Sequence, residues 1–415
     1  MTKASRLMRI ASAGTVALLL QSAAGAGQQP PAAERWITAW STSQQGLGMD
    51  AVTNTTVRMI ARVTLSGDAV RIRLDNTFGA GPLAVGRAYV GTRIQGAALA
   101  TGSNRQIFFN AGARVIVPPG GTVTSDPVRM NVLAQQDLAV TLYIPEANVR
   151  PSQHGAAQVT SYLAADGSGD VSAEEAATPF SRTSTATWWL KAIDVLSSSS
   201  AGAIVAFGDS ITDGTCSTVD AHDRWEDLLA VRLALDAVGR GMPDAHKAVI
   251  NEGIGGNTVT RQNLQPAPDS PPGVERLDRD VLSHHGVTHV ILFMGTNDIR
   301  REAPAAQITA GMQDIAARVK ARGLKIVGVT IIPRHNRPPV GGNTGWNAEK
   351  TRIRGDVNQW IRKAPFDAVI DFDKVVQDPM SADLIYPPFN CGDGIHPSPR
   401  GYYEMGKSVR LDLFR

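Results

Sequence analysis

Four short segments hold the residue types that nucleophilic acyl chemistry requires. The first, Phe207-Gly208-Asp209-Ser210-Ile211-Thr212-Asp213-Gly214, follows an apolar run and sets a serine at a strand-to-helix turn, where Gly208 lets the backbone bend and Ser210 projects from the sheet edge. Backbone N–H groups at the start of the following helix are oriented to stabilise negative charge developing on a substrate oxygen. The second, Asn251-Glu252-Gly253-Ile254-Gly255-Gly256-Asn257, offers glycines at which a backbone donor can be exposed close to a ligand. In the third, Gly295-Thr296-Asn297-Asp298, the Asn297 amide can donate to an oxyanion while Asp298 is suited to tying its loop together. The fourth, Asp393-Gly394-Ile395-His396-Pro397, places a carboxylate three residues before a histidine. It can accept from one ring nitrogen and leave the other facing a serine hydroxyl, which needs such a base.

Taken singly, each segment also has an ordinary reading. Gly-Asp-Ser is most often a turn or a helix cap, and Asn or Asp at a strand end is most often a turn former. The glycine-rich turn lacks the dinucleotide spacing, and no Walker-type lysine motif occurs in the chain. His284, His285 and His289 cluster beside a strand but match no zinc spacing, so no metal is expected.

The elements that must position these residues divide the chain in two. At 415 residues it is long enough for two cores. From residue 36 to about 162 it reads as short strands: Val57, Met59, Ala61, Val63 and Leu65 alternate, Ser66-Gly67-Asp68 makes a turn, and Val70, Ile72 and Leu74 alternate again, predicting a hairpin with one buried face. Further strand-like runs at 84–90, 114–117 and 138–144, separated by Gly/Pro/Asn clusters, predict a β-sandwich over 34–180. Residues 164–187 turn small and polar, as a surface connection would. Over 195–415, apolar runs at 203–207, 248–251, 289–294, 325–332 and 368–372 alternate with helical segments at 225–236, 308–322 and 351–363, which predicts a parallel sheet covered on both faces. Sites in such sheets form beyond the carboxyl ends of the strands, and the first three segments lie there.

In this order and at these positions the motifs resemble those of the SGNH (GDSL-like) hydrolases, whose four ordered blocks supply serine, glycine, asparagine and histidine, with an aspartate three residues before the histidine. The resemblance covers roughly 200–415, and Ile211 stands where the family usually has leucine. It implies a flavodoxin-like α/β/α domain with a five-stranded parallel sheet. It implies Ser210 as nucleophile, His396 as base and Asp393 as its orienting partner, with an oxyanion hole from the Ser210 and Gly256 N–H groups and the Asn297 side chain. The N-terminal part, with Trp36-Ile37-Thr38-Ala39-Trp40, resembles the β-rich, jelly-roll-like domain carried by a bacterial subset of the family. The α/β-hydrolase elbow G-x-S-x-G is absent around Ser210. The chemistry implied is ester hydrolysis through an acyl-enzyme, with no metal or organic cofactor. In that fold Cys216 and Cys391 sit on loops that converge when Ser210 meets His396, so a disulfide between them is expected.

Composition limits partners and location. Lys3, Arg6 and Arg9 precede an apolar stretch at 16–20 and then Ala24-Gly25-Ala26, the pattern of a signal peptide over 1–26 cleaved after Ala26. Without those three charges, 38 basic residues face 38 acidic ones, so the net charge of +3 falls to zero. Neither nucleic acid nor an anionic membrane is then an expected partner, and no apolar run is long enough for a transmembrane anchor. A secreted or periplasmic esterase is expected. Short-chain esters, above all acetyl groups on carbohydrate, are the first candidate substrates, because export and an accessory β domain suit a polymer. A lipase, lysophospholipase or thioesterase acting on longer chains is the alternative enzyme, and a non-catalytic carbohydrate-binding protein the alternative class. Trp36, Trp40, Trp188 and Trp189 could stack on sugars, but packing is the commoner role for such residues.

Overall fold

Alternation of apolar residues in the first half of the chain is realised as strands of two main antiparallel sheets. The computed structural model describes residues 34–198, 201–340 and 344–415; the expected signal peptide lies outside them. Six long strands are β1 (Glu34–Ser41), β2 (Thr55–Val63), β3 (Gly67–Asp75), β4 (Arg87–Gln95), β5 (Gln136–Ile144) and β6 (Leu190–Ser198). One sheet has β6 between β1 and β3, and the other has β5 between β2 and β4. Ile37, Ile72 and Ile193 from the first pack with Val57, Val90 and Val140 from the second in one core.

The predicted hairpin does not form. β2 pairs with β5 and β3 pairs with β6, so the turn at Ser66-Gly67 carries the chain from one sheet to the other. Alternation reports which side chains are buried, not which strand lies alongside. A close backbone approach decides it: a Cβ at Gly67 would fall 2.1 Å from the Leu196 carbonyl oxygen on β6. Since β6 pairs with both β1 and β3, the chain returns to this sheet just before it enters the second half.

The second half is an α/β unit. Five parallel strands, β7 (Gly202–Gly208), β8 (Lys247–Gly253), β9 (Val287–Phe293), β10 (Lys325–Val329) and β11 (Ala368–Ile370), lie in the order β8-β7-β9-β10-β11. Helices are α1 (Ser210–Asp213), α2 (Trp225–Gly239), α3 (Gly273–Leu277), α4 (Thr296–Arg300), α5 (Ala305–Ala321), α6 (Ala348–Ile361), α7 (Phe372–Val376) and α8 (Pro399–Ser408). Every residue of β7 is buried, and its side chains divide by parity. Val205 and Phe207 join Ile308, Met312, Ile315, Val357 and Ile361 of α5 and α6, while Ile204 and Ala206 join Trp225 and Leu229 of α2 and Tyr402 and Met405 of α8. Both faces are therefore covered, at about 1.5–3 kcal/mol per fully buried large apolar side chain. Strand order reverses at β7, so the cleft lies beyond its carboxyl end. The described residues contain no helix long and apolar enough to cross a membrane.

Candidate active site

Ser210 is the first residue of α1, directly after β7. Asp209 caps that helix, its Oδ1 accepting from Ile211 N at 3.0 Å. Burial pushes the Asp209 carboxyl up to about 6 against the opposing effects of that N–H and of the charges on His396 and Arg334. The turn requires glycine before it: a Cβ on Gly208 would meet Thr212 Oγ1 at 2.2 Å and the Phe293 carbonyl at 2.7 Å. Ser210 is 7 % exposed, and its Oγ lies 2.9 Å from His396 Nε2. His396 Nδ1 is 2.5 Å from Asp393 Oδ2, while Asp393 Oδ1 accepts from the N–H groups of Ile395 and His396 at 2.7 and 2.9 Å. Partial burial alone would raise the Asp393 carboxyl. The hydrogen bonds and charge of His396 outweigh it and hold Asp393 well below the usual range, so it is ionised and acts only as an acceptor.

The loops are tied to one another. Cys216 and Cys391 form the expected disulfide, with Cα atoms 6.3 Å apart across a separation of 175 residues, tying the segment after α1 to the one before Asp393. Tyr402 on α8 donates to the Thr215 carbonyl at 2.7 Å, a second tie to the same segment. Asn390 Oδ1 accepts from Gly392 and Gly394, and its Nδ2 donates to the His396 carbonyl at 3.0 Å.

The candidate oxyanion donors lie on three neighbouring loops. Gly256 takes φ 72°, a conformation glycine enters without strain, and the space where a Cβ would stand is open. Among the described residues neither Ser210 N–H nor Gly256 N–H donates to a protein acceptor. Asn297 Nδ2 donates to the Asn257 carbonyl at 3.0 Å, which aims the amide and leaves its second hydrogen available. Asp298 accepts from Val259 N at 2.8 Å and Thr260 N at 3.0 Å, joining the third loop to the second, and burial raises its carboxyl to about 7.

Two residues that the sequence did not single out hold this frame together. Arg276 of α3 is fully buried. Its Nη2 donates to the Gly208 carbonyl at 2.8 Å, its Nη1 to the Glu252 carbonyl and Ser43 Oγ at 2.9 Å each, and its Nε to Asn257 Oδ1 at 3.0 Å. One guanidinium thus spans the first and second motifs. His154, from the β-rich half, has Nδ1 2.8 Å from the Ser43 carbonyl and Nε2 2.8 Å from Asp213 Oδ1. Asp213 Oδ2 in turn accepts from Gly255 N at 2.9 Å, next to Gly256. Both partners of His154 are acceptors, so both ring nitrogens carry protons. Burial would lower its pKa, but the charge and hydrogen bond of Asp213 raise it above 6.5. Neither role has a local sequence signal, since each is made by contacts across long stretches of chain.

The histidines 284, 285 and 289 do not converge. His284 Nε2 meets Glu252 Oε1 at 2.6 Å, His285 Nδ1 meets Asp194 Oδ2 at 3.0 Å, and His289 stacks edge-on to Phe414. The one described cluster with ligand-like spacing is Cys216, Cys391 and Asp393, whose two sulfurs are bonded to each other. Trp188 and Trp189 are buried in the β-rich core, and Arg71 lies over the ring of Trp36.

Residues 206–403 match the GDSL-like Lipase/Acylhydrolase family. No curated protein matches the chain. Solved structures similar to it include the carbohydrate acetylesterase Est24 from Sinorhizobium meliloti, at 21% identity over 51% of this chain and 97% of that one, with a TM-score of 0.39. A GDSL-like lipase from Bacteroides thetaiotaomicron is 20% identical over 51% and 87%, TM-score 0.35. A member of the lipolytic protein G-D-S-L family from Veillonella parvula is 19% identical over 51% and 97%, TM-score 0.36. The stretch that matches begins inside β7 and runs into α8, taking in all four motifs, so residues 206–403 form a domain of the GDSL-like lipase/acylhydrolase family, the SGNH hydrolases.

Proposed function

We propose that the protein is an exported serine esterase that hydrolyses short-chain carboxylic esters, acetyl esters of carbohydrate first among them. The observation that carries this reading is the hydrogen-bonded series Ser210 Oγ, His396, Asp393, set beside two unengaged backbone N–H groups. In the proposed cycle Ser210 attacks the ester carbonyl as His396 Nε2 takes its proton, and Asp393 stabilises the imidazolium. Ser210 N–H, Gly256 N–H and the free hydrogen of Asn297 Nδ2 receive the oxyanion. The intermediate collapses as His396 returns the proton to the departing alcohol. Water, activated by the same histidine, then attacks the acyl-enzyme and releases the acid and the free serine. All of this uses side chains and backbone groups of the chain itself.

The proposal extends to organisation. Residues 1–26 would be a cleaved signal peptide, and the two antiparallel sheets a β-sandwich accessory domain over 34–180 that takes back β6 as a strand. The catalytic domain, expected over 195–415, would then start at β7. A disulfide is consistent with the oxidising compartment this requires.

Hydrolysis of p-nitrophenyl esters from acetate to palmitate by wild type and Ser210→Ala tests the reading. Turnover that is highest on acetate and falls to background in the variant is expected. Activity rising with chain length would replace the acetyl esterase by a lipase. Activity surviving the substitution would remove Ser210 from the mechanism, and no turnover of any ester would favour a binding protein.

A further inference from the structure

Among the described residues six arginines are buried: Arg58, Arg73, Arg276, Arg301, Arg334 and Arg354. Five of them donate to carbonyl, hydroxyl or carboxylate oxygens of the protein. Arg334, 5 % exposed, donates to none. Its Nε is buried without an acceptor, and its one close partner is the ring of Trp346, 5.1 Å from Cζ. A buried donor left unmade costs free energy, more so on a charged group, and a native protein keeps one mainly where something else completes it.

Its segment is bonded to the loop that carries Asp393 and His396. Arg334 lies beyond the carboxyl end of β10, on the segment whose next residue, His335, donates its N–H to the Gly394 carbonyl between Asp393 and His396. Arg337, three residues on, donates to the Asp393 carbonyl at 2.6 Å. Asp209 and Asp393 are near enough to act on Arg334 electrostatically, but each already holds hydrogen bonds of its own and neither pairs with it. Burial lowers its pKa to about 10, which still leaves it charged at neutral pH. A second cation acts on it electrostatically: Arg300 ends α4, the helix that carries Asn297, and its Nε is likewise buried without an acceptor. Like charges repel, and an anion bound to Arg334 would offset that repulsion.

We propose that Arg334, with Arg300 adding to the positive field, is a substrate-anion subsite of this active site, so that the preferred ester carries a carboxylate close to the scissile bond. This rests on the esterase reading and narrows it to acidic substrates, such as acetylated uronate residues in place of neutral sugars. A guanidinium 5.1 Å from the centre of an indole keeps its N–H groups free for a carboxylate, whose two oxygens match its paired donors.

The test compares pairs of esters that differ in one carboxylate. Phenyl acetate against 4-acetoxybenzoate places the carboxylate on the alcohol side; phenyl butyrate against monophenyl succinate places it on the acyl side. For at least one pair, Arg334→Gln is expected to lower kcat/KM on the charged ester about 10- to 100-fold more than on the neutral one, the range set by one charge-assisted hydrogen bond. Arg334→Lys should restore part of the difference. Equal losses on both members of each pair would make Arg334 a structural support, and no loss on either would make it a bystander; both results overturn the proposal. If Arg334→Gln does not fold, as its melting curve would reveal, the partly exposed Arg300→Gln is read in the same way, with a smaller effect of the same sign expected. Calorimetric binding of 4-hydroxybenzoate and of succinate to wild type and Arg334→Gln needs no turnover. A wild type that hydrolyses none of the esters refutes the esterase reading, while weaker carboxylate binding by the variant still upholds the subsite and equal binding sinks it.

Discussion

Replacing His154 should damage both stability and turnover, although it belongs to the β-rich half and touches no reacting atom. Its ring and the Asp213 carboxylate are 2.8 Å apart with side chains 3 % and 5 % exposed. At an effective dielectric of about 20, charges at that distance attract by roughly 6 kcal/mol, most of it offset by the cost of burying them. Removing one partner leaves the other buried and unpaired, which costs about 3–5 kcal/mol. His154→Leu preserves volume but strands both the Asp213 carboxylate and the Ser43 carbonyl, so a loss in that range is expected. Asp213→Asn should cost a similar amount by leaving the imidazolium unopposed. The double variant His154→Leu/Asp213→Asn should cost less than the sum, with a coupling of at least about 1.5 kcal/mol. Urea unfolding followed by tryptophan fluorescence measures all three.

Turnover should fall as well, since Asp213 Oδ2 holds Gly255 N–H at 2.9 Å beside the candidate donor Gly256. A loosened donor should cost about tenfold or more in kcat, part of the hundredfold expected from outright loss of one. The pH dependence follows from the raised pKa of His154. Its contribution is complete below the unfolded value of about 6.5 and is lost as pH rises through the folded value. The stability gap between wild type and His154→Leu should therefore narrow in alkaline solution. Single substitutions costing under about 1 kcal/mol, additive effects in the double variant, or a gap indifferent to pH would each refute this account.

Asn297→Ala, with one amide hydrogen already committed to Asn257, should lower kcat on p-nitrophenyl acetate about 100-fold while leaving KM nearly unchanged; unchanged turnover would remove Asn297 from the oxyanion hole. Cys216→Ser/Cys391→Ser should lower stability by about 2–5 kcal/mol, and the unfolded, unreduced wild type should titrate with no free thiol. A chain starting at residue 199 should fail to fold or to turn over esters, since it uncovers Glu252, Arg276 and Asp280 together; full activity on p-nitrophenyl acetate would show that the β-rich half is dispensable to the site.

The candidate site was more legible than its supports, for a physical reason. A nucleophile, a base and oxyanion donors must sit on short turns at strand ends, and such turns write themselves locally as Gly208 before Ser210, Gly256 with its positive φ, and Asp393 three residues from His396. Apolar runs located the five parallel strands to within a few residues because strands covered on both faces admit little else. Pairing in the β-rich half was not legible. The alternation at 57–74 is real, but it fixes faces, and β2 and β3 found their partners in different sheets. Arg276 and His154 gave no signal at all: an arginine in the sequence suggests surface, and its bond to Ser43 spans 233 residues. Asn390 could have been found, because an Asn three residues before Asp393 is a common way to tie a turn.

The two halves meet through ions as well as through an apolar seam, in which Ala201, Ala203 and Ala248 join the β-rich core, and the protonation of two histidines gives the ionic part its direction. His154 faces acceptors on both sides and is a cation. His284 receives Arg73 Nη2 on Nδ1 at 2.6 Å, so Nδ1 must accept; the ring is neutral and gives its Nε2 proton to Glu252. Its lowered pKa, set first by burial, agrees. Glu252 and Arg276 then link this interface to the carbonyls at the ends of β7 and β8, from which Ser210 and Gly256 follow. Apolar surfaces tolerate sliding by fractions of an ångström, whereas a network of directed donors and acceptors fixes one register, and an oxyanion hole works only when its donors are placed to within a few tenths of an ångström. The ionic interface therefore makes the β-rich half part of the frame that sets donor geometry, whatever it also binds.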